Sequence, residues 1–309
     1  MTYWNDKRYH SLDYHFKHTF GEKVYRLSLN GGMTCPNRDG TLSTGGCIFC
    51  SAGGSGDFAA SPALSITEQI EEAKLRIAEK TKCTKYIAYF QAYTNTYAPV
   101  EYLRRIFTEA ISHPDIVALS IATRCDCLPE EVLDLLEELN QIKPVWVELG
   151  LQTIHAKTLE FIHSGFTLEQ FDAAVMQLNN RKIEVIAHLI LGLPQETRED
   201  MISSLIHVTK LPISGLKLQL LHILRNTGLA DYYEANPFWT FSFDEYCDFI
   251  VDCIELLPPE IVLHRITGDG PRKLLIAPLW STDKKRVLNT IHKRLAERDS
   301  WQGKYFSAE

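Results

Sequence analysis

From Val24 onward, short apolar runs alternate with amphipathic segments, and this rhythm restricts the fold more than any other property of the chain. Strands that alternate with helices call for a parallel sheet covered by those helices. About six such units can be read. Val24-Tyr25-Arg26-Leu27-Ser28-Leu29 is the first strand, followed by a Gly-rich loop with cysteines. The next helix opens on a capping box, Ser65 with Glu68, and puts Ile66, Ile70, Ala73 and Ile77 on one face. Further strands are expected at Tyr86 to Phe90, Ile116 to Ala122, Val145 to Leu149, Val185 to Leu191 and Leu216 to Leu221. Between them, Pro99 sits in the first turn of one helix, a second runs from Pro129 to Leu139, Thr167 with Gln170 opens a third, and Thr197 to Lys210 is a fourth. Beyond the sixth strand the rhythm loosens into a helix capped by Ser242 and Glu245, a possible extra strand from Ile261 to Ile266, and a basic helix near Lys284 to Arg298.

The expected fold is α/β, a partial (β/α)6 TIM-like barrel spanning residues 24–240. A basic N-terminal extension, 1–23, precedes it, and a C-terminal α/β extension, 241–309, packs on the core. With 309 residues, 45% of them hydrophobic and 23% charged, the chain can bury such a core. The opening residues from Met1 to Arg8 hold no apolar signal core, and no uncharged run is long enough to span a bilayer, so a cytoplasmic protein is expected. In a reducing compartment, eight cysteines read as metal ligands or buried apolar groups rather than disulfides. A net charge of −7 argues against coating nucleic acid through bulk electrostatics. Basic residues nevertheless crowd the two ends, from Lys7 to Arg26 and from Lys284 to Lys304. If the ends meet, they form either an RNA-facing edge or a solvated face.

A parallel barrel places its chemistry at the C-terminal ends of its strands, where the loops converge. Polar residues gather at those ends here. They are the cysteines after strand one; Gln91, Tyr93, Thr94, Asn95 and Thr96 after strand two; and Thr123, Arg124 and Asp126 after strand three. Glu148 to Thr153 close strand four, His188 lies in strand five before Gly192-Leu193-Pro194, and His222, Arg225 and Asn226 follow strand six. Six such placements on one rim mark an active site.

Cys35, Cys47 and Cys50 supply three soft ligands with no obvious fourth. Three thiolates hold three irons of a [4Fe-4S] cubane and leave the fourth iron open to an outside molecule. Zinc is the rival, with Cys83 as a further ligand, although structural zinc usually brings a second closely spaced pair. The Gly45-Gly46 turn and the 11-residue linker between Cys35 and Cys47 would let backbone amides approach cluster sulfides. Cys125 and Cys127 flank Asp126 with period-two spacing, read either as small buried groups or as a second metal or redox pair. Cys247 and Cys253 fall on different faces of a helix, and His222, His264 and Arg265 are structural groups or substrate contacts.

A three-cysteine loop after the first strand, with Phe49 before the last cysteine, resembles the radical S-adenosylmethionine (SAM) superfamily. Over nearly the whole chain the likeness is to the bacterial YhcC/YtqA-type radical SAM proteins. It is carried by Leu29 to Gly40, Tyr89 to Thr96, Glu148 to Thr153, His188 to Pro194, Ala277-Pro278-Leu279-Trp280 and Trp301-Gln302-Gly303-Lys304. Several of these blocks also resemble the radical SAM region of the Elongator catalytic subunit, which acts on tRNA.

The resemblance implies a barrel of the radical SAM type, a [4Fe-4S] cluster on Cys35, Cys47 and Cys50, and SAM chelated at the open iron. Reductive cleavage would give methionine and a 5′-deoxyadenosyl radical, with an electron donor such as flavodoxin or ferredoxin. Phe49, Gln91, Tyr93 and Thr94 match the superfamily's SAM-binding loops, the last three at the methionine amino group. Arg124, Gln152 and His188 match positions near its carboxylate or ribose. Many relatives have an acid near Ala122 and a base near Ser164; this chain has neither. Glu148 is the expected substitute, its alternative being a carboxylate paired with a buried Arg or Lys. The implied substrate is the wobble uridine of tRNA, a 5-carboxymethylaminomethyl side chain going toward 5-aminomethyl, with the terminal basic clusters holding the RNA. A small metabolite or porphyrin-like substrate, and a zinc-stabilised binding module without catalysis, are the alternatives.

Overall fold

The computed structural model describes residues 4–54, 56, 59–79, 82–268 and 270–307, so Met1 to Tyr3 of the expected N-terminal extension lie outside it. In chain order the elements are α1 (Leu12–Phe20), β1 (Tyr25–Leu29), α2 (Ile66–Ala78), β2 (Tyr86–Phe90), α3 (Val100–Ser112), β3 (Ile116–Thr123), α4 (Glu130–Asn140), β4 (Val145–Gln152), α5 (Ala156–Phe161) and α6 (Leu168–Asn180). There follow β5 (Glu184–Leu191), α7 (Arg198–Thr209), β6 (Gly215–Leu220), β7 (Ile223–Leu224), α8 (Gly228–Ala235), α9 (Phe243–Leu256), β8 (Val262–Arg265), β9 (Leu275–Ala277) and α10 (Lys284–Glu297). The capping boxes at Ser65, Thr167 and Ser242 close, joined by a fourth at Thr197 with Asp200. Pro99 is the cap residue before α3 rather than part of its first turn.

Seven parallel strands form one curled sheet in the order β1-β2-β3-β4-β5-β6-β8, a partial barrel of the expected kind with one strand more than the six read from the sequence. The added strand is the one expected near Ile261 to Ile266, paired with β6. At the open seam, Arg26 on β1 and His264 on β8 are hydrogen-bonded at 2.6 Å, so side chains link the two edge strands where no ladder does. Helices α2, α3, α4, α6, α7 and α9 bury their apolar stripes against the outer face of the sheet.

Inside the barrel the side chains stack in layers. The floor is apolar: Val24, Ile87, Ala118, Trp146 and Ile186 surround Phe16 of α1, whose ring stacks on Trp146 with centroids 5.6 Å apart. Thus α1, a helix the sequence reading did not anticipate, plugs the end where the strands begin. Above the floor lies a polar layer, and above that the cavity described below.

The two chain ends do meet, but beneath this floor. Gln302 donates its backbone N–H to the Arg8 carbonyl and its Nε2 to Pro258 and Ile261 just ahead of β8. Much of the basic charge there is paired: Arg294 and Arg298 with Asp244, Asp248 and Asp252, Arg8 with Asp299, and Lys17 with Asp13. The N-terminal cluster and the far end of the C-terminal one, with Arg298 and Lys304, therefore lie away from the cysteine rim; Arg286, over the Phe243 ring at the start of α9, stands nearer the rim end, and Arg26 is buried inside the barrel. Among the described residues, no helix is long and apolar enough to cross a membrane.

Candidate active site

The cavity at the C-terminal mouth has a volume of about 250 Å³. Cys35, Cys47, Phe49, Cys50, Gln91, Tyr93, Thr94, Arg124, Glu148, Gln152 and His188 all line it, so the residues expected to hold the cluster and SAM are gathered in one place, whereas Asn95, Thr96, Asp126, Thr153, Arg225 and Asn226 of the expected rim are not in its lining. Cys83 is not among them, because it sits at the opposite end of β2 beside the Lys23 carbonyl.

The cysteine loop is built by its own hydrogen bonds. Asn37 Nδ2 donates to the carbonyls of His163 (2.7 Å) and Ser164 (3.0 Å) and lies 3.6 Å from Cys47 Sγ. Arg38 reaches the carbonyls of Cys50 (3.0 Å) and Ser51 (2.6 Å) and lies over the Tyr93 ring. The Gly46 N–H donates to Asn37 O at 2.6 Å, so this amide closes the loop instead of pointing at a sulfide as expected. Gly46 is needed for a different reason: at φ 72°, a Cβ would sit 2.9 Å from Arg38 Nε. Ile48 ties the far side down, accepting from Leu229 N at the start of α8 and packing with Phe49 against an apolar satellite cluster. Asn37 and Arg38 were quoted in the sequence motif without a role; two polar residues immediately after a ligand cysteine were the available signal.

Opposite the cysteines, Thr94 N–H donates to Thr34 O (3.2 Å) and Tyr93 OH to Ala52 O (2.6 Å), which locks the loop after β2 onto the cysteine loop. Arg124 is clamped by both oxygens of Asp126 (2.9 and 2.7 Å) and donates to Ser164 O (2.7 Å). Burial opposes its charge, but Asp126 outweighs that and holds the guanidinium firmly protonated. Gln152 adopts φ 75°, uncommon for a side chain of its size, and its buried Oε1 has no hydrogen-bond partner. Gly150 makes room for it, since a Cβ there would meet Gln152 Nε2 at 2.6 Å. A strained residue with an orphaned buried acceptor fits a site whose partner is a ligand.

The thiols suit a cluster better than a single ion. Among the described residues, the one group of three metal-ligating side chains with all ligand atoms within 4.8 Å of one another is Glu71, His113 and Asp115. The cysteines are spread more widely, whereas tetrahedral zinc at about 2.3 Å from each sulfur would need them within about 4 Å of one another. Burial pushes the Cys47 thiol up to about 11, so bound iron would displace its proton. Cys125 and Cys127 lie in the turn beyond β3, not on the strand, so period-two alternation does not govern them. Both are buried, and burial pushes each thiol up to about 12, which leaves them inert apolar groups rather than a redox pair.

Glu148 forms the cavity floor and takes the alternative reading. Its Oε1 accepts from Ser120 Oγ (2.9 Å) and forms an ion pair with Arg26 (3.2 Å), and its Oε2 accepts from His188 Nε2 (3.0 Å) and Lys217 Nζ. With those oxygens filled, it organises cations and has little left for a ribose. Burial opposes its charge, but Lys217, Arg26 and His188 win and hold the carboxyl well below the usual range. Because an ionised carboxylate only accepts, the His188 Nε2 must carry the proton.

Burial, with Lys217 adding to it, outweighs the Glu148 bond and pushes His188 down to about 4 from 6.5. Between those values the unfolded chain takes up a proton that the folded chain refuses, so this contribution to stability is present above 6.5 and lost as the pH falls through about 4. Urea unfolding at pH 7 and pH 4.5 should show wild type losing about 2 kcal/mol more than His188→Gln on acidification. Equal losses would remove His188 as the cause.

Comparison with known proteins agrees with this geometry. The radical SAM superfamily profile matches residues 35–206, and the Radical_SAM C-terminal domain profile matches 213–297. The uncharacterised protein YtqA of Bacillus subtilis is 47% identical over 97% of this chain and 94% of its own, and YhcC of Escherichia coli K12 is 39% identical over 90% and 89%. Among solved structures, the archaeal Methanocaldococcus infernus Elp3 aligns with a TM-score of 0.69 at 16% identity, covering 90% of this chain and 64% of that one, just under two thirds. That likeness concerns the fold alone. With three thiols on the loop after β1, facing an open cavity at the mouth of a partial parallel barrel, the chain belongs to the radical SAM superfamily.

Proposed function

We propose that this radical SAM enzyme acts on the wobble uridine of tRNA, converting a 5-carboxymethylaminomethyl side chain, with or without 2-thiolation, toward 5-aminomethyl. The observation that carries a radical reaction is the convergence of Cys35, Cys47 and Cys50 with the strained Gln152 on one cavity. A [4Fe-4S] cluster with SAM, the cofactors of this superfamily, supplies a 5′-deoxyadenosyl radical able to take a hydrogen atom from substrate. In this reading the three cysteines hold the cluster, with Asn37 and Arg38 fixing their loop. Gln91, Tyr93 and Thr94 meet the methionine end of SAM. The Gln152 Oε1 accepts from its polar groups, Arg124 stays charged beside its carboxylate, and Phe49 screens water. An electron donor such as flavodoxin or ferredoxin would reduce the cluster.

Two features support tRNA. The tRNA uridine(34) acetyltransferase of Methanocaldococcus jannaschii is 25% identical over 52% of this chain and 30% of its own. Exposed cations also stand at the mouth: Arg225 follows β7, and Arg272 and Lys273 precede β9, on the ribbon whose Gly270 and Pro271 line the cavity. Phosphates would meet these residues rather than the chain termini beneath the floor.

Anaerobically reconstituted protein is expected to cleave SAM faster in the presence of tRNA bearing the carboxymethylaminomethyl nucleoside. Mass spectrometry of the digested tRNA should show the aminomethyl product. No acceleration and an unchanged nucleoside profile would sink the tRNA assignment.

A further inference from the structure

Large apolar side chains that stand in water beside a site call for a partner. Two do so here: Trp239 is 50% exposed and Leu279 is 65% exposed. Trp280, the neighbour of Leu279, donates its Nε1–H to the Phe241 carbonyl at 2.9 Å and so ties the two segments together. The Trp239 ring rests on that of Phe241, with centroids 4.5 Å apart. Phe241 in turn is buried, lies 5.5 Å from the rings of Tyr246 and Phe249 on α9, and packs on Gly192, where a Cβ would come within 3.2 Å of it. Because Gly192 directly follows β5, Trp239 stands at the mouth end of the barrel. A half-exposed indole held by a fixed ring is a preformed stacking platform.

The platform is continuous with the cavity. Phe238, next to Trp239, belongs to the apolar cluster that holds Ile223 of β7 and Ile276 and Ala277 of β9, and this cluster reaches the cavity lining through Phe49, Ile190 and Leu221. The β7–β9 ribbon is about 10 Å long, and its tip carries Arg225, Arg272 and Lys273, all exposed and in no ion pair among the described residues. Pro271, beside Arg272, lines the cavity. Three cations grouped at the mouth of a chain with net charge −7, near an exposed indole, match a polyanion that also presents flat apolar faces. Single-stranded RNA is such a molecule, whereas a helical stem covers its base faces. A cavity of about 250 Å³ takes a nucleoside only after it has left its stack, and extrusion uncovers the face of the base beside it at the mouth.

We infer that Trp239 stacks on a base next to the extruded nucleotide of a single-stranded RNA loop, while Arg225, Arg272 and Lys273 hold the phosphates of that loop. The inference rests on the tRNA reading for the identity of the extruded nucleotide, and it adds the surface that keeps the loop open.

Anisotropy titrations of reconstituted holoenzyme with a fluorescein-labelled anticodon stem-loop RNA, from about 50 to 200 mM salt, separate the parts. Trp239→Ala should raise Kd about 10- to 100-fold and leave the salt dependence as in wild type, and Trp239→Phe should recover most of the affinity. Arg272→Gln with Lys273→Gln should instead reduce the slope of log Kd against log salt by about 1.5. Iron content should match wild type throughout. A Kd for Trp239→Ala within about twofold of wild type overturns the inference, and so does a wild type that binds no RNA. If the variants bind RNA normally but slow SAM cleavage driven by flavodoxin, and not cleavage driven by dithionite, the surface belongs to an acidic electron donor and the inference falls. Nucleoside analysis separates this surface from the wobble chemistry. RNA binding that depends on Trp239, with an unchanged nucleoside profile, keeps the surface and discards the chemistry; aminomethyl product formed equally by wild type and Trp239→Ala keeps the chemistry and discards the surface.

Discussion

Alanine at Cys35, Cys47 or Cys50 is expected to yield a folded protein that no longer takes up iron on anaerobic reconstitution, loses its absorbance near about 400 nm, and cleaves no detectable SAM. Wild type should hold about four irons per chain. In the proposed assignment each thiol supplies one of only three protein ligands, so no neighbouring donor can replace it. Cys83 lies at the far end of β2, and Cys125 and Cys127 are buried thiols raised to about 12. Circular dichroism and urea unfolding of the apo proteins should differ from wild type by less than about 1 kcal/mol, because the loop is held by Asn37, Arg38 and Ile48 rather than by its sulfurs. Alanine at Cys125 or Cys127 should keep the colour. Full iron loading in any of the three variants, or zinc uptake at one per chain by wild type, would refute the cluster assignment.

Much of this site was legible because barrel geometry converts sequence position into spatial position. Once Tyr86-Ile87-Ala88-Tyr89-Phe90 is a strand, the residues from Gln91 to Thr96 must stand on the rim, and their bounds were read without error. Strand β4 runs to Gln152, three residues beyond the reading, because Gly150 weakens the local strand signal while the tertiary ladder to β5 continues through it. The α1 plug escaped notice because Leu12-Asp13-Tyr14-His15-Phe16-Lys17-His18-Thr19-Phe20 fully buries only Phe16, with Leu12 and Phe20 half-buried one turn to either side, a single i, i+4 line rather than a broad stripe. The β7–β9 ribbon was missed because a two-residue strand has no period. Strand β8 was only half visible, its four residues lying among glycines and a histidine.

The polar layer had no local signature at all. Arg26 was counted with a surface cluster, and Lys217 was read as part of an apolar strand. Their shared partner Glu148 lies far from both in sequence, so the network exists only once the sheet curls. What the sequence did display was the anomaly itself: a lysine between Leu216 and Leu218 at a position where alternation points inward. Charged residues at inward positions of a barrel strand must find partners, and that rule nominates Glu148, Lys217 and Arg26 together.

The energetic consequence of that network can be measured directly. Glu148→Leu should lower stability by about 3–5 kcal/mol, since it leaves Lys217, Arg26 and His188 in the interior without their acceptor. The cost arises from stranded cations, not from lost Coulomb attraction, and a second substitution separates the two. Glu148→Leu with Lys217→Met removes the most deeply buried cation along with its partner and should recover at least about half of the loss, because apolar side chains of similar volume pack without desolvating an ion. The loss from Glu148→Leu alone should also shrink as the pH rises toward about 7 and stay level above it. Lys217 is already weakened to about 7 in wild type, and without Glu148 beside it the buried amine sheds its proton at a still lower pH. Below that lower value Lys217 is charged in both folded proteins and the full penalty stands; between it and about 7 the variant has given up a proton that wild type still holds, so the gap narrows, and above about 7 both folded amines are neutral and gain stability with pH at the same slope. Urea denaturation of the apo protein at several pH values reads both effects. A single variant within about 1 kcal/mol of wild type, or a double variant no better than the single, would mean that the layer is solvated and that the cavity floor is not dry.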